Sequence, residues 1–191
     1  MPNEPLLHPP KRYRTLSSTQ LFTGKVFNLV VDQVEYPDGT KGVREVAVHP
    51  GGAVALPLLD DGRILLVRQF RHPAKQWFYE LPAGKLEHKE EPLRCAQREL
   101  EEETGHTAAT WEPLIAIHTS PGFSSEVLHI FVARRLNPVA GGQRLEAGEA
   151  TLTLHPTSWA DALAMIEHGE IVDAKTICGL LLAHRLLMRT P

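Results

Sequence analysis

Scarcity sets the first bounds on this chain. Its 191 residues hold 2 cysteines, 3 tryptophans, 3 tyrosines and 3 methionines. Cys95 and Cys178 each fall inside a predicted helix. They supply neither a disulfide framework nor a cysteine-based zinc spacing, and their expected state is the reduced thiol of a cytoplasmic protein. Excess positive charge is missing too: 20 Lys and Arg stand against 23 Asp and Glu, a net of −3. That balance excludes the basic surface non-specific nucleic-acid binding requires. No apolar run reaches the length of a membrane span, so no membrane partner is expected. The opening MPNEPLLHPPKRYRT has no apolar stretch of signal-peptide length, and residues 1–14 read as a Pro-rich, poorly ordered lead-in. There is no internal repeat and no low-complexity segment. What is present, at 42% hydrophobic content, suffices for one substantial core.

The most informative stretch runs from Gly84 to His106, GKLEHKEEPLRCAQRELEEETGH. Pro92 suits a first helical turn, where its missing N–H is no loss. Leu93, Ala96 and Leu100 recur at helical spacing and predict one apolar stripe. Gly105 is the expected stop just past the end. This helix ends on Glu99, Glu101, Glu102 and Glu103, where the helix dipole repels carboxylates. Glu99 lies three residues from Glu102 and four from Glu103, so the three project from neighbouring parts of one face, expected to be open to solvent or metal. Either Arg94 and Arg98 balance a solvated acidic face, or hard oxygen ligands hold a divalent cation.

Strand signals surround this helix. Residues 15–35 carry two β-rich runs, and Pro37-Asp38-Gly39-Thr40 is a turn between Val30–Tyr36 and Gly42–His49. Asp60-Asp61-Gly62 joins Ala53–Leu59 to Arg63–Phe70 as a hairpin. Phe78–Leu81 leads into the Gly84–His106 stretch, and Leu114–His118, Val127–Ala133 and Thr151–Leu154 follow it. Ser158 with Asp161 forms a capping box that opens a helix through about Glu167. Asp173 caps a last helix with Ile177, Leu180, Leu181, His184 and Leu187 as its stripe. Strands, helix, strands and helices predict a mixed β-sheet sandwiched between α-helices, an α/β class. Residues 15–49 read as an N-terminal antiparallel β extension, and 50–191 as the main domain.

Gly84, five residues, Glu90, seven residues, then Arg98-Glu99-Leu100-x-Glu102-Glu103-x-Gly105 resembles the Nudix box, G-x5-E-x7-R-E-U-x-E-E-x-G-U, with U a bulky aliphatic residue. Only the final U departs, where His106 stands; His88 and His106 are read as surface or packing residues. Pro121, sixteen residues beyond Gly105 in Ser120-Pro121-Gly122, resembles the ADP-ribose pyrophosphatase branch. Arg44-Glu45-Val46, Val67-Arg68-Gln69-Phe70-Arg71, Glu80-Leu81-Pro82-Ala83-Gly84 and Asp173-Ala174-Lys175-Thr176 agree with that branch.

The resemblance implies a Nudix fold and Mg²⁺-dependent (or Mn²⁺-dependent) hydrolysis of ADP-ribose to AMP and ribose 5-phosphate. Two like unit charges roughly 4 Å apart repel by about 4 kcal/mol at an effective dielectric near 20, so a diphosphate needs metal to approach this acidic cluster. The expected metal ligands are Glu99, Glu102 and Glu103, with the Ala83 carbonyl added by resemblance; Glu90 is expected to be structural. The resemblance draws the general base from an acidic loop. Glu149 is the first choice and Glu146 the second, two solvated loop glutamates being the alternative. Arg98 is grouped with this catalytic set. Arg44, Arg68 and Arg71 fall where the branch places phosphate- or ribose-binding arginines; exposed strand arginines are the alternative. Glu80, Pro121, Gly122 and Glu126 are further substrate candidates. Phe27, Trp77 and Tyr79 are candidates to stack on adenine, or core aromatics. The branch also implies a homodimer with exchanged N-terminal strands, against an added sheet within one subunit. The competing functions are hydrolysis of another nucleoside diphosphate sugar such as GDP-mannose, and a non-catalytic nucleotide-binding module.

Overall fold

A computed structural model describes residues 13–187, and the chain divides into two compact units, Met1–His49 with Ser120–Ser125 and Pro50–Thr119 with Glu126–Pro191. Of the expected lead-in, residues 1–12 lie outside the described residues, while Arg14 already begins a strand.

The first unit is an antiparallel sheet, β1 (Arg14–Thr23), β2 (Asn28–Glu35) and β3 (Lys41–Val48), in the order β1-β2-β3. The turn between β2 and β3 forms where Pro37-Asp38-Gly39-Thr40 predicts it. Gly39 takes φ 86°, which a side chain disfavours, and Asp38 accepts from the Thr40 amide and hydroxyl at 3.0 and 2.7 Å. Ser120–Ser125 joins this unit through Ala47, which donates to Phe123 O and accepts from Ser125 N. All of β1 is exposed, including Leu16, Leu21 and Phe22.

The second unit is a mixed sheet between helices. Its strands are β4 (Gly52–Leu58), β5 (Ile64–Arg71), β6 (Gln76–Glu80), β7 (Ala83–Lys85), β8 (His106–His118), β9 (Val127–Pro138) and β10 (Thr153–Thr157). The main order is β10-β5-β4-β9-β8, with β6 on β5 and β7 on β4; only the β4–β9 pairing is parallel among the pairings described. Side-chain alternation along β4 sets the layers. Ala53 and Ala55 pack with Cys95, Ala96 and Leu100 of α1 (Pro92–Thr104), while Val54 and Leu56 pack with Ala162, Leu180 and Ala183 of α2 (Trp159–Glu167) and α3 (Ala174–Leu187). Small residues on one face let α1 lie close, and larger ones fill the gap beneath the helix pair.

The helix ends follow their chemistry. Ser158 Oγ accepts from Asp161 N at 3.1 Å and opens α2, and Gly105 closes α1 at φ 68° with its amide donating to Glu101 O at 2.8 Å. The faces differ from expectation. Leu93 is exposed and Cys95 takes its place in the buried stripe of α1, while Glu99 and Glu103, expected on the open face, are only 8% and 2% exposed. On α3 the buried residues are Thr176, Gly179, Leu180 and Ala183, and Leu181 is exposed. β8 begins at His106 rather than near Leu114, because its pairing with β9 continues to Pro138. β10 is Thr153–Thr157, later than the expected Thr151–Leu154, since its register on β5 starts at Thr153.

Candidate active site

The site lies in the second unit, where α1 crosses β7. At Gly84 an added Cβ would collide with the Glu99 carboxylate, so the glycine lets that carboxylate lie against the backbone. Arg98 organises the cluster. Its guanidinium donates to both Glu90 oxygens at 3.0 Å, to Glu99 at 2.6 Å and to Glu102 at 3.1 Å. These bonds, Glu90 foremost, raise the Arg98 pKa. Glu90 is thus the structural residue expected, since it fixes the arginine. Glu103 turns away and accepts from Ala83 N at 3.1 Å.

Burial raises the pKa of both inner carboxyls. Glu99 is pushed up by burial and by Glu102 and Glu149, against Arg98. Glu103 is pushed up to about 8 by burial, then by Glu99 and Glu149. Beneath them the Cys95 thiol is pushed up to about 12, by burial first and then by Glu90 and Glu99. It donates to Gly84 O and Lys85 O at 3.5 Å.

A cavity of about 840 Å³ opens over this cluster, with Ala83, Glu99, Glu102, Glu146 and Glu149 on its wall and Arg71 among them. His88 also reaches it, from an exposed position. His106 sits outside it with Nδ1 2.8 Å from Thr104 O, a packing role. Among the described residues no three His, Cys, Asp or Glu side chains are gathered at metal-holding distances. Arg98 draws Glu99 and Glu102 to itself, and Glu103 is on the Ala83 amide. The donor set still fits a hard divalent ion: carboxylate oxygens beside a glycine cradle, with buried like charges that a cation relieves.

The remaining candidates separate. Glu80, a substrate candidate by sequence, is 1% exposed, with both oxygens held by Arg71 at 2.7 Å and Oε2 also by Lys175, so it lies buried in a charge network. Burial raises its carboxyl, but Arg71 and Lys175 outweigh that and bring it down to about 2. Arg68, on the other face of β5 from Arg71, lies 4.9 Å from the Trp77 ring and 5.6 Å from Tyr79. One face of Trp77 and one of Tyr79 is therefore covered. Phe27 tilts against Phe22 in the first unit. Arg44, also in that unit, lies 5.0 Å from the Tyr36 ring. Pro121 and Gly122 are exposed there, while Glu126 in the second unit accepts from the Thr119 hydroxyl at 2.6 Å.

Three residues escaped the sequence reading. Gln143 donates to Glu103 O at 2.6 Å, and Arg144 donates to Glu102 O at 2.8 Å and to Glu101 at 2.6 Å, tying the Glu146–Glu149 loop to the end of α1. Lys175 reaches Glu80 across 95 positions. The run Asp173–Thr176 was its one signal, and no periodicity assigns it a role.

Residues 48–174 match the NUDIX domain family, and residues 13–47 match the nucleoside diphosphate sugar hydrolase N-terminal domain. The chain belongs to the Nudix hydrolases. It is 43% identical to an ADP-ribose pyrophosphatase of Bacillus subtilis (strain 168), over 85% of this chain and 88% of the relative. It is 39% identical to an ADP-ribose pyrophosphatase of Mycobacterium tuberculosis, over 90% of this chain and 83% of that one. The solved structure of an ADP compounds hydrolase superposes with TM-score 0.80 at 22% identity, covering 93% of this chain and 95% of the other, and so shares the Nudix fold. Nudix hydrolases generally use divalent metal ions. Among the described residues no helix is long and apolar enough to cross a membrane.

Proposed function

We propose that this Nudix hydrolase cleaves the pyrophosphate bond of ADP-ribose with water, releasing AMP and ribose 5-phosphate, with Mg²⁺ or Mn²⁺ as cofactor, as a cytoplasmic homodimer. The observation that carries the reading is one cavity that sets Arg71 among Glu99, Glu102, Glu146 and Glu149. Similarity to two ADP-ribose pyrophosphatases over most of the chain supports the choice of substrate. Glu99, Glu102 and Glu103, with the Ala83 carbonyl, would hold the metal. Held there, a divalent ion would supply the positive charge that offsets the diphosphate and would polarise its phosphoryl oxygens. Arg98 keeps Glu99 and Glu102 in place, and Arg71 binds a phosphate. Glu149 takes the proton of the attacking water. In support, its charge reaches far enough to raise both the Glu99 and Glu103 carboxyls. Glu146 on the same wall is the second choice. Arg44, Pro121, Gly122 and Glu126, which do not line this cavity, remain proposed as substrate contacts by resemblance alone, while Arg68 and Glu80 are engaged with other side chains.

The N-terminal β extension is proposed as the dimer arm, an apolar face on a three-stranded sheet. AMP release from ADP-ribose with Mg²⁺, against an EDTA control, tests the activity. A higher kcat/KM for GDP-mannose would replace the substrate, and binding without turnover would make the protein a sensor.

A further inference from the structure

Behind the cavity the second unit buries a chain of charges, of which the reaction above uses only Arg71. It starts at Arg71, whose Nε and Nη2 donate to Glu80 Oε1 and Oε2 at 2.7 Å. Lys175 Nζ donates to Glu80 Oε2 and, at 2.9 Å, to Asp173 Oδ2. Asp173 Oδ2 also accepts from the Thr176 amide at 3.0 Å and hydroxyl at 2.6 Å, and that hydroxyl accepts from Leu81 N at 2.8 Å. The first turn of α3 therefore grips Glu80 and Leu81, immediately before the Ala83-Gly84 segment of the box. The side chains of Glu80 and Lys175 are 2% and 11% exposed, so these bonds are shielded from water and salt.

The charges in this chain decide what Arg71 can offer. Arg71 and Glu80 form a neutral couple, and Lys175 and Asp173 together add one charge of each sign, so the intact set stays neutral. Without Lys175, two carboxylates would face one guanidinium, a net charge of −1 beside a cavity already lined by glutamates. A buried, shared carboxylate also fixes the guanidinium plane, which a bidentate phosphate contact needs.

We propose that Lys175 is a positioning residue for diphosphate binding: by sharing Glu80 from the first turn of α3, it keeps Arg71 oriented, and its surroundings free of net negative charge, where Arg71 lines the cavity. The inference rests on the reading that this cavity takes a diphosphate. The network alone would also exist in a protein that needed it only for stability, so the test must read anion affinity through Arg71.

The experiment is calorimetric titration of the full chain with inorganic pyrophosphate in Mg²⁺, alongside kinetics with ADP-ribose. Lys175→Met should weaken pyrophosphate binding at least about tenfold and raise KM similarly, with kcat within about threefold and Mg²⁺ binding alone within about twofold. Lys175→Arg should recover most of the affinity. In an Arg71→Ala background, Lys175→Met should cost nothing more. Unchanged pyrophosphate affinity in a folded Lys175→Met protein, or in Lys175→Gln if Met does not fold, overturns the proposal. So do losses that add to those of Arg71→Ala, or unfolding of both neutral variants, since the role would then be structural. If the wild type binds pyrophosphate but does not turn over ADP-ribose, the functional reading fails, and the Lys175 dependence of binding still decides this one.

Discussion

At Glu103, burial and like charge act in the same direction. The carboxylate is 2% exposed, accepts one amide bond and is raised to about 8. Such a group disfavours the metal-free fold when ionised and becomes favourable once a cation sits against it. Glu103→Gln keeps the shape and an acceptor for Ala83 N. Its turnover should fall at least about 10²-fold, and in EDTA above pH 8 its Tm should exceed that of the wild type. Turnover near the wild-type rate would remove Glu103 from the metal set. Glu80 has the opposite sign. Its folded pKa of about 2 lies below the ordinary value of 4.5, so the stability it contributes is present above 4.5 and lost as pH falls toward 2. The difference corresponds to about 3 kcal/mol. Urea unfolding at pH 6 and pH 3 should therefore show a smaller acid loss for Glu80→Gln than for the wild type.

Two elements meet where the loop after β9 returns to the end of α1. A helix leaves its last carbonyls without partners, and here the loop supplies them, Gln143 to Glu103 O and Arg144 to Glu102 O. The ion pair Arg144–Glu101 at 2.6 Å is exposed on the arginine side, so its contribution to stability is small, roughly 0–1 kcal/mol. Its effect should fall on the placement of Glu146 and Glu149. Arg144→Ala is expected to lower kcat about three- to tenfold with Tm almost unchanged; equal kcat would show that the side chain does not hold the loop. On the same loop Glu149 is tied back, its Oε2 accepting from Glu146 N at 3.2 Å. Glu149→Gln should lower kcat roughly 10²-fold or more with little change in KM, the pattern of an interaction made in the transition state. Glu146→Gln should cost less. Reversed ranks would name Glu146 as the base, and losses under about threefold in both would move the role to Glu102.

For the whole molecule, the division of labour is between a packed sandwich and a thin sheet. The sandwich has two buried faces around β4 and a shaped cavity. The three-stranded unit exposes Leu21, Phe22, Val26 and Phe27, apolar surface that a stable partner would cover. Sedimentation at micromolar concentration should show a dimer, and Phe22→Glu with Leu21→Glu should shift it toward monomer with loss of ADP-ribose turnover. A fully active wild-type monomer would remove the arm from the mechanism.

Local chemistry was readable from residue order alone. The Gly84–Gly105 spacing, the Pro92 start, the Gly105 stop, the Ser158 cap and the Asp38-Gly39 turn act over a few residues, so each appears where its chemistry puts it. The family followed from that spacing. Faces and partners did not, because they depend on which side of the sheet an element meets. Glu103 and Leu93 share a helix with clear periodicity, yet the contact with β4 and β7 buries the carboxylate and leaves the leucine in water. Arg68 and Arg71 are three residues apart, and the alternation of β5 sends one to Trp77 and Tyr79 and the other to Glu80. Lys175 meets Glu80 because the first turn of α3 reaches the end of β6; the run Asp173–Thr176 marks the lysine but not its partner, which tertiary packing decides.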